Sequence, residues 1–268
     1  MTRPESILLV GCGKMGSALM DGWIGQGTSP AGIFVVDPMQ PDLPAGVAGG
    51  AAFEHIPEDF AASVVVLAVK PQVMDAVLAP YPAIVRPETV FLSIAAGRTI
   101  ASFEAVLGAD ARIVRAMPNT PAAVGRGITV LTGNDLVTEA QRYLCEALMT
   151  AVGKVAWVAD EGLIDAVTGV SGSGPAYVFH MVEAMAAAGV AAGLAPDLAM
   201  QLARETVSGS GELLAQSAES AATLRENVTS PGGTTAAALD ILMSDGGLTD
   251  LMTRAIIRAT ERSRELAG

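Results

Sequence analysis

The feature that most constrains the fold is the glycine turn at residues 11–16, with the sequence GCGKMG. A short apolar run, Ile7–Val10, precedes it, and a segment with apolar residues at helical spacing, 15–24, follows it. A strand, a G-x-G-x-x-G turn and a helix in succession are typical of a dinucleotide-binding unit. The first glycine permits a tight turn, the second lets a pyrophosphate approach the backbone, and the third lets helix and strand pack closely. The sequence therefore predicts a dinucleotide site here, against the alternative of a purely structural strand–helix turn.

The charge and the apolar content of the chain indicate which kinds of binding partner to expect. The chain has 268 residues and a formal net charge of −12, and this length allows one or two domains. A duplex-binding protein needs a basic face, and the sequence contains no cluster of Lys and Arg, so nucleic acid is not an expected partner. Hydrophobic residues make up 51% of the chain and charged residues 16%, which favours burial of apolar surface between subunits.

The cysteines and the apolar stretches indicate a cytoplasmic protein with neither a disulfide framework nor a metal cluster. Cys12 lies in the glycine turn and Cys145 in a predicted helix, and their spacing matches no disulfide or metal motif. The first apolar run is too short for a secretion signal. The longest apolar stretch, 175–194, contains His180 and Glu183, and we interpret it as a helix buried on most sides rather than as a membrane span.

Strand and helix patterns alternate as far as residue 157, whereas the pattern from residue 160 onward is helical throughout. Alternation of this kind predicts a Rossmann-like, doubly wound α/β domain, which we place at 1–158. The rest of the chain, 159–268, is predicted to be an all-α domain. Residues 39–50 are interpreted as a loop, and Thr99 as a helix N-cap. Strands are predicted at 7–10, 33–36, 64–69, 90–94, 112–116, 125–131 and 155–157, and helices at 15–24, 73–85 with a break at its prolines, 100–107, 136–150, 162–170, 175–194, 196–216, 234–244 and 248–266.

Asp37 follows the second predicted strand, about 20 residues after the glycine turn. An acid at this position typically binds the adenosine ribose hydroxyls and repels a 2′-phosphate, so Asp37 favours NADH over NADPH. The alternative is a turn residue before Pro38, and the sequence leaves both open. His55 is either an edge of the adenosine site or a plain surface residue, and His180 is interpreted as a core histidine.

A second site is predicted at residues 229–235, TSPGGTT, directly before a predicted helix. Backbone N–H groups and hydroxyls at a helix N-terminus form an anion site that suits a small carboxylate. The alternative is an ordinary helix end capped by Thr234 or Thr235. Because the sequence shows no metal-binding or serine-nucleophile motif, we expect a bound cofactor to carry the chemistry.

A series of motifs resembles those of the pyrroline-5-carboxylate reductase family, nearly end to end. The resemblance implies reduction of the cyclic imine of 1-pyrroline-5-carboxylate to L-proline, the last step of proline biosynthesis, with hydride from NADPH or NADH. It also implies that the C-terminal helices pair two subunits, that dimers assemble into larger rings, and that the active site lies between the cofactor domain of one subunit and the helical domain of the pair. The motifs are GCGKMG at 11–16, AVKPQ at 68–72, SIAAG at 93–97, RAMPNTPA at 115–122, GVSGSGPAYVF at 169–179 and SPGGTT at 230–235.

Residue by residue, the resemblance implies a cofactor site and a substrate site. Thr235, the catalytic candidate, is placed near the ring nitrogen, where its neutral hydroxyl would orient the ring because it is a poor acid near pH 7. Asp37 departs from the small polar or basic residues of many members and predicts use of NADH, or of both cofactors. The implied substrate residues are Ser230, Gly232, Gly233, Thr234 and Thr235. The implied cofactor residues are Gly11, Cys12, Gly13, Lys14, Met15 and Gly16 at the pyrophosphate, Ala68, Val69, Lys70 and Pro71 along one side, and Ala95, Ala96, Gly97 and Asn227 at the nicotinamide.

Two other functions remain as alternatives at this point. A β-hydroxyacid dehydrogenase also joins a Rossmann domain to a helical one, but it needs a lysine and an asparagine where this chain has Val178 and Val182. A non-catalytic NAD(P)-binding sensor would be marked by a damaged substrate loop, and 230–235 is intact.

Overall fold

The computed structural model describes residues 6–267. The chain divides into two compact units, one formed by residues up to 172 together with those from 259 onward, and one formed by 173–258. The first unit therefore extends past residue 158, and it also contains the end of the last helix, from residue 259 onward. The division into a cofactor domain at 1–158 and a helical domain at 159–268 stays a prediction.

The first unit contains an eight-stranded sheet in the order β3-β2-β1-β4-β5-β6-β7-β8. Neighbouring strands are parallel except at β6 and β7. The strand order reverses on either side of β1, and ligands of open α/β sheets bind at such a switch point, beyond the carboxyl ends of the strands. The strands are β1 Ile7–Val10, β2 Ile33–Val36, β3 Ala48–Gly50, β4 Val64–Leu67, β5 Val90–Ser93, β6 Arg112–Met117, β7 Gly127–Gly133 and β8 Gly153–Trp157.

The helices of this unit begin where the local capping chemistry places them. Thr99 accepts a hydrogen bond from the Ser102 N–H at the start of α3, as predicted for an N-cap. Thr138 and Gln141 form a capping box, which starts α4 later than the predicted residue 136. The segment 73–85 is broken as expected, into α2 and a 3-10 turn. The helices are α1 Lys14–Gly25, α2 Met74–Leu78, α3 Ile100–Leu107, α4 Glu139–Thr150 and α5 Leu163–Val167.

The strands β1, β2 and β4 are buried on both faces, which is why they consist of continuous apolar runs. In β1, Ile7 and Leu9 pack into a cluster with Trp23 of α1, whereas Leu8 and Val10 pack into the opposite cluster with Phe103 of α3. The predicted doubly wound α/β fold is therefore confirmed.

Two features of the sheet differ from the sequence interpretation. Residues 39–50 are not all loop, because Ala48–Gly50 pairs with β2 as β3. Alanine and glycine have low strand propensity, so the pattern does not reveal a strand held by backbone pairing. β7 is antiparallel to β6, and the short 3-10 connection Thr120–Val124 between them replaces the long crossover that a parallel pair needs.

The rest of the chain is helical, as predicted. A π-helical turn, Thr168–Gly172, precedes α6. Within the second unit α6 packs on α7, where Gly189 lies against Ala199. The helices are α6 Gly174–Ala191, α7 Pro196–Gln216, α8 Ala221–Asn227, α9 Thr234–Leu242 and α10 Leu248–Ala267.

The prediction that 175–194 is buried on most sides is wrong for the single chain. Apolar side chains of α6 such as Phe179 are largely exposed, and Ala186 is the one buried residue of this helix. His180 is not a core histidine: its side chain is 80% exposed, and its Nδ1 lies 3.0 Å from Glu183 Oε2. The physical reason is that much of the apolar surface of α6 has no covering element in one chain. Among the described helices, none combines the length and hydropathy that a bilayer crossing requires.

Cys145 on α4 makes the stability of the fold sensitive to alkaline pH. Burial raises the pKa of the Cys145 thiol far above its ordinary value. Above about pH 8.5 the unfolded thiol loses a proton that the native thiol keeps, so the free energy of unfolding falls as the pH rises. We expect Cys145 to account for up to about 1.4 kcal/mol of loss per pH unit there. Urea unfolding between about pH 7.5 and about pH 9.5, one unit on either side of the ordinary Cys pKa, should show a shallower dependence of the unfolding free energy on pH in Cys145→Ala. An unchanged slope would contradict this account.

Candidate functional site

The glycine turn has the geometry that a dinucleotide turn requires. Gly11 has φ +89°, and a Cβ there would lie 2.8 Å from Val69 Cγ1. A Cβ on Gly16 would lie 2.4 Å from the Gly11 carbonyl oxygen, so only glycine allows α1 to pack this closely. A Cβ on Gly13 would meet nothing within 4 Å, which leaves the backbone of the second glycine open to a ligand. This open side is where a pyrophosphate approaches in dinucleotide-binding folds.

The N-terminus of α1 is suited to an anion. Gly13 is the N-cap and supplies no side-chain cap, and the first turn, which starts at Lys14, contains no acidic residue. Free N–H groups and the positive end of the helix dipole favour phosphate there. Burial, and then the nearby Asp37 and Asp21 carboxylates, raise the pKa of the Cys12 thiol in this turn.

The Asp37 carboxylate is fixed between two backbone segments. Its Oδ2 accepts a hydrogen bond from the Cys12 N–H at 2.7 Å, and its Oδ1 accepts one from the Met39 N–H at 2.8 Å. Beside it lies a cleft of about 310 Å³ that contains a second carboxyl group, that of Asp42. Sequence reasoning missed Asp42, because nothing in a Pro-rich segment shows that it folds back to this cleft. The lining residues are Val35, Asp37, Gln40, Pro41, Asp42, Leu43, Gly49 and Gly50.

His55 does not line this cleft. It is exposed, and it packs against Gly50, where a Cβ would lie 2.3 Å from the His55 Cβ. His55 therefore neighbours a lining residue of the cleft, and its role at the edge of the adenosine site stays a prediction.

The turns after β4 and β5 form the next part of the same sheet edge. The Ala68 N–H donates to the Val10 carbonyl at 2.8 Å, and Lys70 is exposed at the start of the 3-10 turn Pro71–Val73. After β5, Ala95 is buried, Ala96 is exposed and Gly97 has φ +71°. Small residues in this second turn leave room for a flat ring to approach the backbone.

Two ion pairs hold the turn after β5, and sequence reasoning identified neither. Arg98 pairs with Asp75 of α2. Arg115 of β6 is buried and donates through Nη1 to Glu161 Oε1 at 2.9 Å, and the same oxygen accepts the Ile100 N–H at 2.8 Å. Glu161 therefore joins β6 to the start of α3, immediately after the Ala95–Gly97 turn.

Asn119 connects two of the motifs that the sequence singles out. Its side-chain Nδ2 donates to the Ser171 carbonyl at 3.2 Å, and its Oδ1 accepts the Ile128 N–H at 3.0 Å. Gly172 lies close by, since a Cβ there would lie 2.6 Å from Met117 Cε. The motif at 115–122 thus contacts the first residues of the motif at 169–179, although their spacing in sequence gave no sign of it.

The predicted substrate loop is a tight turn at the start of α9. The Gly233 N–H donates to the Ser230 carbonyl at 3.0 Å, and Gly232 has φ +69°. Pro followed by Gly with positive φ is typical of a type II turn. Gly233 is the N-cap and supplies no side-chain cap, so neither Thr234 nor Thr235 acts as the cap. The first turn of α9 contains no acidic residue, and this leaves its N–H groups to a ligand anion.

The structure places the predicted residues in two groups, one in each compact unit. The sheet edge of the first unit brings together the glycine turn, Asp37, 68–71 and 95–97. The second unit contains the 230–235 turn and Asn227, whose side-chain amide donates to Glu219 Oε2 at 3.2 Å. Across residues 6–267, His, Cys, Asp and Glu side chains do not gather in threes as metal ligands would.

Comparison with known proteins covers both units. A family model described as pyrroline-5-carboxylate reductase dimerisation matches residues 161–266, and one described as NADP oxidoreductase, coenzyme F420-dependent, matches residues 6–97. The pyrroline-5-carboxylate reductase of Pseudomonas aeruginosa is 41% identical over 271 residues, which span 100% of this chain and 98% of that protein.

Solved structures agree with the sequence relatives. A pyrroline-5-carboxylate reductase from Coxiella burnetii superposes with a TM-score of 0.91 at 35% identity over 100% of both chains. The pyrroline carboxylate reductase of Plasmodium falciparum, solved with NADP bound, gives a TM-score of 0.80 at 28% identity, again over 100% of both. With motifs, fold and full-length relatives in agreement, the chain belongs to the pyrroline-5-carboxylate reductase family.

Proposed function

We propose that this chain reduces 1-pyrroline-5-carboxylate to L-proline with hydride from NADPH or NADH. The observation that carries the proposal is the intact turn at 230–235, an uncapped helix N-terminus with adjacent hydroxyls, in a chain that also has an open glycine turn. One site suits a small carboxylate and the other a dinucleotide. Together they match a reductase of a small imino acid and do not match the sensor alternative.

The residues of the sheet edge fit a nicotinamide dinucleotide. The open face of Gly13 and the N-terminus of α1 would hold the pyrophosphate, and Asp37 would hold the adenosine ribose. The turn at Ala95, Ala96 and Gly97 would face the nicotinamide. When bound, the reduced nicotinamide supplies the hydride that the reaction needs.

The turn at 230–235 would fix the substrate. The N–H groups at the start of α9 would bind the carboxylate, and the Thr235 hydroxyl would hydrogen-bond the ring nitrogen. Hydride adds to the imine carbon, the C=N double bond becomes a single bond, and the nitrogen keeps its proton. A protonated imine accepts hydride readily and takes its proton from water before binding, so no dedicated acid is required. Most of the rate gain then comes from positioning the two reactants.

Thr235→Ala should lower the turnover number without abolishing it. Loss of one orienting hydrogen bond corresponds to a decrease of about tenfold in kcat. Thr235→Ser keeps the hydroxyl and is the matched control, with a kcat close to that of the unmodified chain. Steady-state kinetics with 1-pyrroline-5-carboxylate measures both variants. Complete loss of turnover in Thr235→Ala with unchanged substrate binding would show an obligatory proton donor instead.

The reaction itself is tested by following the oxidation of NADH and of NADPH with 1-pyrroline-5-carboxylate as substrate. We expect oxidation that depends on the imine, and no reduction of NAD or NADP in the presence of 3-hydroxy acids. Turnover on 3-hydroxy acids alone would favour the dehydrogenase alternative, which the valines at 178 and 182 argue against.

Self-association follows from the dimerisation family at 161–266 and accounts for the exposed apolar side chains of α6, such as Phe179. A second copy of the chain would cover them.

Beyond the dimer, we place the protein in a ring of dimers and in the cytoplasm, and we assign it no nucleic-acid or membrane partner. The net charge of −12 supports the exclusion of nucleic acid. Light scattering of the purified protein tests the ring.

A further inference from the structure

The cleft beside Asp37 carries negative charge, because Asp37 and Asp42 both line it. Among residues 6–267, no lysine or arginine lines it. Apart from the two aspartates and Gln40, the lining residues are small or apolar, among them Leu43, Gly49 and Gly50. Gly49 packs tightly, since a Cβ there would lie 2.8 Å from Leu43 Cδ1, so the wall is well defined.

The cleft is joined to the glycine turn through Asp37. One carboxylate oxygen accepts the Cys12 N–H, inside the glycine turn, and the other accepts the Met39 N–H, in the segment leading to the cleft. The Asp37 N–H in turn donates to the carbonyl of Gly50, another lining residue, at 3.0 Å. A dinucleotide with its pyrophosphate at the turn therefore has its adenosine ribose at this cleft.

We infer that Asp42, acting with Asp37, is a specificity-determining residue that makes this chain prefer NADH to NADPH. The inference rests on the proposed function, because it concerns the cofactor of that reaction. A 2′-phosphate brings about two negative charges, and NADP-binding sites neutralise them with a nearby arginine. Here the phosphate would meet two carboxylates instead, and Asp37 is held in place by backbone N–H groups so that it cannot readily turn away.

The experiment compares the unmodified chain with Asp37→Asn, Asp42→Asn and Asp110→Asn. Asp110 is the matched control, an exposed aspartate just before the amino end of β6 and so at the opposite edge of the sheet from the cofactor. Two ratios are measured at low ionic strength: kcat/KM for NADH over NADPH, and the Kd of 2′-phospho-ADP-ribose over that of ADP-ribose by calorimetry. The second ratio needs no turnover.

We expect the unmodified chain to favour NADH over NADPH, and ADP-ribose over 2′-phospho-ADP-ribose, by about tenfold. This factor corresponds to about 1.4 kcal/mol. Asp42→Asn should shift both ratios about threefold toward the phosphorylated ligand, because it removes one exposed negative charge beside the 2′-phosphate. Asp37→Asn should shift both ratios further. The shift should shrink at high salt, because exposed charges are screened. Asp110→Asn should change neither ratio.

Preference of the unmodified chain for NADPH and 2′-phospho-ADP-ribose would overturn the inference, as would an Asp42→Asn ratio equal to that of Asp110→Asn. These failures are separate from failure of the proposed function. Selective ADP-ribose binding without turnover of 1-pyrroline-5-carboxylate would refute the reaction and support the specificity. Turnover of 1-pyrroline-5-carboxylate with a preference for NADPH would support the reaction and refute the specificity.

Discussion

Replacing Gly16 with alanine should destabilise the folded chain by about 3 kcal/mol and abolish dinucleotide binding. A Cβ at this position would lie 2.4 Å from the Gly11 carbonyl oxygen, a backbone atom in the turn between β1 and α1. Backbone cannot move aside as a side chain does, so α1 would have to shift away from the sheet. Thermal unfolding should show a decrease of about 10 °C in Tm, at about 2–4 °C per kcal/mol for a chain of this size.

Gly13→Ala is the matched control, because a Cβ there would meet nothing within 4 Å. We expect the free energy of unfolding to change by less than about 1 kcal/mol, the usual scale for an N-cap change. Cofactor binding should nevertheless weaken at least tenfold, because the methyl group would occupy the space that the pyrophosphate needs. If Gly16→Ala were as stable as Gly13→Ala, the packing role of the third glycine would be refuted.

Replacing Glu161 with alanine should cost about 3–5 kcal/mol of stability, because it leaves the buried Arg115 guanidinium without its partner carboxylate. The Arg115 side chain is only 4% exposed, and its Nη2 is already buried without a hydrogen-bond partner within the described part of the chain. The change also removes the acceptor of the Ile100 N–H at the start of α3. We therefore expect a weaker affinity for the cofactor as well, through the loosened Ala95–Gly97 turn. Urea unfolding and cofactor titration measure the two effects.

The exposed pair of Arg262 and Glu265 provides the comparison. Glu265→Ala also removes a glutamate carboxylate from an arginine, but from a solvent-exposed pair. It should therefore lower the free energy of unfolding by less than about 1 kcal/mol. Arg115→Met combined with Glu161→Gln should recover part of the loss, because it leaves no unpaired buried charge. Equal destabilisation by Glu161→Ala and Glu265→Ala would show that burial adds nothing to the first pair.

Much of the first unit could be predicted from the sequence, because its signals are local. Continuous apolar runs such as Val64–Leu67 indicate strands covered on both faces, and the structure places this run at the centre of the sheet. The N-cap at Thr99 and the spacing of the glycines in the turn are likewise properties of a few neighbouring residues.

The features of the fold and the site that the sequence did not predict depend on contacts between residues that are distant in sequence. β3 has a strand conformation only because β2 lies beside it, and Asp42 lines the same cleft as Asp37 only because the intervening loop folds back. Glu161 meets Arg115 across the first unit for the same reason. The apolar pattern of α6 indicates a helix that is covered on most sides, whereas its apolar side chains, such as Phe179, are exposed in the single chain.

The most direct test of the proposed reaction is isotope transfer from reduced nicotinamide carrying deuterium at its transferable position. The purified protein is incubated with this cofactor and 1-pyrroline-5-carboxylate, and the product is analysed by mass spectrometry and NMR. We predict L-proline with a single deuterium on the carbon that was the imine carbon. Unlabelled proline, or oxidation of the cofactor without formation of proline, would contradict direct hydride transfer to this substrate.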